Sequence, residues 1–148
     1  MGMDSYYMRE ALKEAQKAYD LGEVPIGCVI VRGGEIIGRG YNRTEADGSA
    51  MHHAEIMALK EADRATEGWR IGGELYVTVE PCPMCMGAIL NSRIDRLIIG
   101  TDNPRFGAAG SVVNLAAFRA FNHSVAVKEG VLAEECRALM QSFFKGLR

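Results

Sequence analysis

Two short strings in this 148-residue sequence carry side chains that could do chemistry together: His53-Ala54-Glu55 and, further on, Glu80-Pro81-Cys82-Pro83-Met84-Cys85. Two cysteines separated by two residues can chelate one ion from a single turn of chain, but such a pair also occurs in redox proteins and in structural zinc sites. With His53 the set becomes His/Cys/Cys. Three protein ligands leave the fourth tetrahedral position of zinc open to water, which separates a catalytic site from a closed structural one. Binding to zinc brings the pKa of water from about 15.7 to about 7, so a nucleophile becomes available near neutral pH. Glu55, two residues beyond the histidine, can take and return protons without occupying the metal, a general acid–base role that typically contributes about 10²–10⁴-fold. The residues therefore predict one zinc ion held by His53, Cys82 and Cys85, with Glu55 as the catalytic carboxylate of a hydrolase.

The elements that must hold these groups follow from periodicity. From Asp4 to Asp20, Met8, Ala11, Leu12, Ala15, Ala18 and Tyr19 recur at three- and four-residue steps, an amphipathic helix that Asp4 or Ser5 can cap and Gly22 can end. Residues Ile26 to Val31 and Glu35 to Tyr41 are β-rich runs joined by Gly33-Gly34, a pair suited to a tight hairpin. A polar loop over Asn42 to Ala50 leads to a helix that begins almost at His53 and runs to Ala65. After Gly72-Gly73 comes a strand, Leu75 to Val79, then a helix from Met84 to Asn91 with Pro83 in its first turn. A strand at Arg96 to Gly100, a loop over Thr101 to Gly110, a short strand at Ser124 to Lys128 and a closing helix over Leu132 to Leu147 complete the chain. Cys136, Leu139, Met140 and Phe143 are spaced as the buried face of that helix. Both ends of the metal site thus fall at helix N-termini, where free N–H groups and the helix dipole favour thiolate over thiol. The pattern predicts one α/β domain over residues 1–148, its mixed sheet covered on both faces.

Composition is that of an ordinary globular chain, 48% hydrophobic and 24% charged. A net charge of -2 supplies no global field for a polyanion, so any nucleic acid must be held by local contacts or by shape. No run is long enough to span a membrane, and Met1 to Arg9 lacks the apolar stretch of a signal peptide, so a cytoplasmic protein without a membrane partner is expected. Cys28 and Cys136 fall on inner faces and are expected to be core residues. His52 and His123 are expected in loop or packing roles, because a fourth protein ligand would block the water position.

The joint order H-x-E then P-C-x-x-C is the signature of zinc deaminases acting on cytosine or adenine, and it argues against a merely buried histidine with a structural or redox thiol pair. Beyond it, the chain resembles the bacterial tRNA adenosine deaminase family, which converts the wobble adenosine of an anticodon to inosine. The resemblance is carried over nearly the whole length by Glu23-Val24-Pro25-Ile26-Gly27, Gly40-Tyr41-Asn42-Arg43, His53-Ala54-Glu55-Ile56-Met57-Ala58-Leu59, Leu75 through Cys85, Gly107-Ala108-Ala109-Gly110-Ser111 and Phe121-Asn122-His123. It implies a cytidine deaminase-like three-layer α/β/α sandwich with a mixed five-stranded sheet, one zinc per subunit, and a homodimer whose second subunit helps to build the RNA surface.

It implies, too, that Asn42 bonds the target nucleotide, that Ala54 lies with its backbone beside the base, and that Pro25 and Arg43 belong to the substrate site. Asn103 and Arg105, flanking Pro104, match the edge of the RNA groove, and Phe143, Phe144, Lys145 and Arg148 the aromatic and basic end that touches the anticodon loop. Many relatives continue beyond this point with a basic tail, so the end at Arg148 is expected to bear on tRNA affinity and not on the chemistry. An unpaired loop suits a nearly neutral protein, because its base can be turned out at small cost and held by stacking and phosphate contacts. No DNA partner is expected. Two rival readings share the same core: a deaminase of a free base or nucleoside such as guanine or cytosine, and a zinc-stabilised RNA-binding module without catalysis.

Overall fold

A computed structural model describes residues 2–147; Met1 and Arg148 lie outside it, so the contact implied for Arg148 falls outside the described residues. The elements run α1 (Met3–Asp20), β1 (Gly27–Arg32), β2 (Glu35–Tyr41), α2 (Thr44–Asp47), α3 (Ala54–Ala65), β3 (Glu74–Val79), α4 (Pro83–Asn91), β4 (Arg96–Thr101), β5 (Ala126–Lys128) and α5 (Ala133–Gly146). The five strands form one sheet in the order β2-β1-β3-β4-β5. Strand β1 pairs antiparallel with β2 and with β3, while β3–β4 and β4–β5 are parallel, so the sheet is mixed.

Side chains alternate across this sheet because a strand has period two. Cys28, Ile30, Leu75, Val77, Leu97 and Ile99 point to one face, where they pack with Ala54, Ala58 and Ala62 of α3 and Met86 and Ile89 of α4. Val29, Val31, Tyr76 and Ile98 point to the other, against Tyr7, Met8 and Ala11 of α1 and Cys136 of α5. Fully burying one Ile or Leu in such a layer contributes about 1.5–3 kcal/mol relative to exposure, which is what holds the helices to the sheet. The result is a three-layer α/β/α sandwich, and the apolar character of both faces of β1, β3 and β4 follows from their central positions.

The hairpin turns on Gly33 and Gly34 with φ of 59° and 80°, the two positive values that a type I′ turn needs. Helix α1 ends as expected near Gly22: the Gly22 N–H reaches the Tyr19 carbonyl at 3.0 Å and the Glu23 N–H the Ala18 carbonyl at 2.9 Å, the pairing of a Schellman cap. Its start differs from expectation. Gly2 is the N-cap and has no side chain to cap with, while Asp4 lies inside the first turn and accepts from Tyr76 Oη at 2.7 Å, Lys128 Nζ at 2.9 Å and Arg96 at 3.0 Å, tying the helix to β3, β4 and β5.

Two further corrections concern the loops and α5. The polar stretch after Asn42 contains the short helix α2, which exists because the buried Glu23 carboxylate accepts from the backbone N–H groups of Glu45 and Ala46. On α5 only Cys136 and Phe143 are buried, whereas Leu139 and Met140 are partly exposed. What most directly positions the chemistry is the stacking of α3 on β2. At Gly40 a Cβ would overlap the Ala54 carbonyl oxygen and lie 2.5 Å from the Ala58 nitrogen, and Gly38 meets Ala58 and Ala62 in the same way. Only glycine lets the helix backbone rest directly on the strand there.

Candidate active site

His53 is the N-cap residue of α3 and Cys82 that of α4, with Pro83 in the first helical position and Cys85 in the same turn. Helix α4 starts as the chain leaves β3, and α3 after the loop and short helix that follow β2, so three donors from two strings meet at adjoining helix N-termini. His53 Nδ1 lies 3.5 Å from Cys82 Sγ and 3.6 Å from Cys85 Sγ, and one ligand atom from each residue lies within 4.8 Å of the others. Cys82 and Cys85 are buried and His53 is half-buried. The Cys85 thiol that bonds to Cys82 holds the Cys82 sulfur down to about 4, against burial and with help from His53, so it is thiolate at neutral pH. The same shared hydrogen bond, together with burial, pushes Cys85 up, and the bond to Cys82 raises His53. A cation brought to this cluster takes the place of the shared protons.

One imidazole nitrogen and two sulfurs are the donor set that zinc accepts, and among the described residues these three alone form the group. The cluster fits one zinc ion per chain with a coordination position left over. The other candidates are occupied elsewhere: His52 Nδ1 pairs with Asp47 at 2.8 Å, His123 Nε2 with the Ile94 carbonyl at 2.7 Å, and Cys28 and Cys136 are buried in the two apolar layers.

Glu55 sits in the first turn of α3, two residues past His53, and only 4% of its surface is exposed. Burial pushes its carboxyl up to about 7; its own backbone N–H pulls against this, and the Cys82 thiolate adds to it. A carboxyl poised there can both accept and give a proton at neutral pH.

The remaining predicted residues fall in two places. Asn42 is buried, its Nδ2 donating to the Val24 carbonyl and its Oδ1 accepting from the Thr44 N–H, both at 3.3 Å. Arg43 grips Asp47 through two nitrogens at 3.0 Å and donates to Tyr41 Oη at 2.9 Å. Ala54 is fully buried at the start of α3, and Pro25 is buried beside Val24. Asn103 and Arg105 come together with Phe144 and Lys145 of α5, and with Val24 and Ile26, around a groove of about 970 Å³; Asn42, Arg43, Pro25 and Ala54 do not line it. Phe143 faces inward, edge-on to the Tyr19 ring with centroids 5.8 Å apart, and Phe144 packs against it at 5.3 Å while remaining 46% exposed.

Sequence reasoning missed the two buried acids that shape the surrounding loops, Glu23 and Glu80. Glu80 lies two residues before Cys82 and is 4% exposed, and its carboxylate accepts from the backbone of Asn103, Ala109 and Ser111 and from the Ser111 hydroxyl. Burial alone would raise this carboxyl, but the hydrogen bonds from Ser111, Asn103 and Ala109 outweigh it and hold the group below the usual carboxylate range. The available signal was an acid fixed within an otherwise apolar strand end.

Comparison with known proteins gives a consistent picture. The family described as "Cytidine and deoxycytidylate deaminase zinc-binding region" matches residues 1–101. The chain is 46% identical, over all of its length and 92% of the relative's, to the tRNA-specific adenosine deaminase of Bacillus subtilis (strain 168). It is 48% identical, over 95% of its length and 89% of the relative's, to a tRNA-specific adenosine deaminase of Streptococcus pyogenes serotype M18. A solved structure from work on A-to-I editing by tRNA:A34 deaminases at the wobble position superposes with a TM-score of 0.86 at 38% identity, over 90% of this chain and 98% of that one.

Proposed function

Because the chain belongs to the cytidine and deoxycytidylate deaminase zinc-binding family, we propose that it hydrolyses the 6-amino group of the wobble adenosine in a tRNA anticodon, leaving inosine. The observation that carries this is the open three-donor cluster with a buried carboxylate beside it, in a chain 46–48% identical to named tRNA adenosine deaminases. His53, Cys82 and Cys85 hold the zinc. When bound, the ion polarises water, bringing its proton within reach of a carboxylate at neutral pH.

The rest is work for the chain's own side chains. Hydrolysis at C6 needs a proton removed as the water oxygen bonds to carbon, a proton added at ring N1, and a proton for the leaving amine. Glu55 carries these protons in turn: it accepts one from water and gives it to N1, then accepts the second from the new C6 hydroxyl and gives it to the nitrogen, which departs as ammonia while the C6–N bond breaks and the C6 carbonyl forms. Water is consumed, ammonia is released, and the C6 oxygen of inosine remains. A carboxyl near 7 suits this double duty, since efficiency is greatest when the group's pKa lies near the working pH.

Recognition is shared between two loops. Asn42 and the Ala54 backbone hold the turned-out nucleotide, with Pro25 shaping the approach and Arg43 fixing the Asn42 loop through Asp47. Asn103, Arg105 and Phe144 offer the groove in which the neighbouring RNA lies, a base stacking on the exposed Phe144 ring, while Phe143 supports that ring from behind. The working unit is a homodimer of single 1–148 domains in the cytoplasm; exposed Phe106, Val112, Val113, Phe118 and Phe121 supply apolar surface for a second copy.

The test compares inosine formation on a tRNA bearing a wobble adenosine with deamination of free adenosine, guanine and cytosine. Turnover on the tRNA, far above any on the small molecules, is the expected result. Turnover on the free bases or nucleosides alone would replace this reading with a small-molecule deaminase.

A further inference from the structure

Glu80 is buried and takes no part in the chemistry just described, yet its carboxyl group carries four donors. Its Oε1 accepts from the Asn103 N–H at 3.1 Å and from the Ser111 hydroxyl, and its Oε2 from the Ala109 N–H at 2.9 Å and the Ser111 N–H at 3.0 Å. Both ends of the 103–111 loop therefore hang on one carboxylate. Two backbone bonds lock the acid to the same region: its own N–H reaches the Thr101 carbonyl at 2.9 Å, and the Ala108 N–H reaches the Pro81 carbonyl at 2.8 Å. At Gly107 a Cβ would collide with the Glu80 carboxyl group, so the loop closes around the acid with no room to spare. The loop's near end, Asn103 to Arg105, lines the 970 Å³ groove.

We infer that Glu80 is a positioning residue that sets substrate specificity: it fixes the 103–111 loop so that Asn103 and Arg105 meet RNA in one arrangement. This rests on the reading of the groove as the RNA site. The carboxylate acts through backbone N–H groups, so its removal loosens the loop without touching the zinc donors or Glu55. A buried acceptor with four donors is also hard to replace. Glutamine keeps the size but turns an NH₂ group toward N–H donors, and those donors are left unpaired.

The experiment compares wild type, Glu80→Gln and Ser111→Ala on an anticodon stem-loop carrying a wobble adenosine, with zinc content measured for each. Binding is read separately in a Glu55→Ala background, where turnover does not interfere. Glu80→Gln is expected to raise KM and the stem-loop Kd by about tenfold or more, with kcat within about threefold and one zinc per chain, the cost of losing buried hydrogen bonds to a charged group. Ser111→Ala, which keeps the charge and the backbone donors, is expected to move KM and Kd the same way by a few-fold, and it decides the matter if Glu80→Gln does not fold. Unchanged KM and Kd, a fall confined to kcat, or loss of zinc in the folded variant would each overturn the inference. Failure of the wild type to deaminate the stem-loop at all would instead sink the proposed substrate, which keeps the two outcomes apart.

Discussion

Replacing Gly40 by alanine adds one methyl group to β2, at the point where α3 lies against it. Its carbon would overlap the Ala54 carbonyl oxygen and stand 2.5 Å from the Ala58 nitrogen and 2.8 Å from Met57 Cβ. Comfortable carbon contacts begin near 3.5 Å, so the first turns of α3 must retreat by about 1 Å. All three of the atoms it meets belong to that helix and two are backbone, so no side chain can rotate out of the way. Overpacking of this kind costs about 1–3 kcal/mol of stability. The larger effect falls on turnover. His53 and Glu55 ride on the retreating turn while Cys82 and Cys85, on α4, stay where they are, and a displacement of about 1 Å in a catalytic group can cost about 10²-fold. The assay is kcat/KM for inosine formation together with thermal melting, set beside Gly87→Ala. Gly87 lies on α4 in open space, with nothing within 4 Å of an added Cβ, so that change should leave activity intact and stabilise the helix by about 0.5–1 kcal/mol. If Gly40→Ala melts and turns over like wild type, the direct stacking of α3 on β2 does not position the site.

Glu55→Ala should fold, keep its zinc and lose about 10²–10⁴ in kcat, read by inosine formation and metal analysis; normal turnover would remove Glu55 from the proton path. Prolonged chelation should abolish activity, and added zinc should restore it. Asp4 offers a test of stability against pH. Burial would raise its carboxyl, but Lys128, then Tyr76 and Arg96, outweigh this and hold it well below its ordinary 3.8. A depressed carboxyl stabilises the fold above that ordinary value and loses its contribution as the pH falls through the range beneath it. Asp4→Asn should therefore melt earlier than wild type at pH 7, with the gap narrowing below pH 3.8; a gap that does not change with pH would contradict the ion-pair account.

The parts of this molecule that were readable in its sequence are those encoded by neighbours along the chain. Gly33-Gly34 announces a turn because few other residues take two consecutive positive φ values, the break near Gly22 ends α1, and Gly72-Gly73 comes just before β3, as predicted. The metal donors were legible for a similar reason: Cys82 and Cys85 share one turn, and His53 and Glu55 share another. What escaped was decided by groups far apart in sequence. Helix α2 depends on Glu23, more than twenty residues upstream, and Asp4 lies inside the first turn with partners on β3, β4 and β5. Phe143 and Phe144 are adjacent and chemically identical, and the docking of α5, with Tyr19 against Phe143, leaves one facing inward and the other exposed. Glu80 resembled any other acid until the loop returned to it from residues 103–111.

His53 and Cys82 occupy the positions where a serine or aspartate would ordinarily bend back to satisfy the first free amides of a helix, and neither side chain does so. Each turns away to offer its lone pair to an ion. The opening turns of α3 and α4 are thus less self-sufficient than a capped helix, and they are bridged when the two side chains share a metal. Loading and local order become one equilibrium, so slow hydrogen exchange at residues 54–57 and 84–86 should report occupancy as directly as a metal assay.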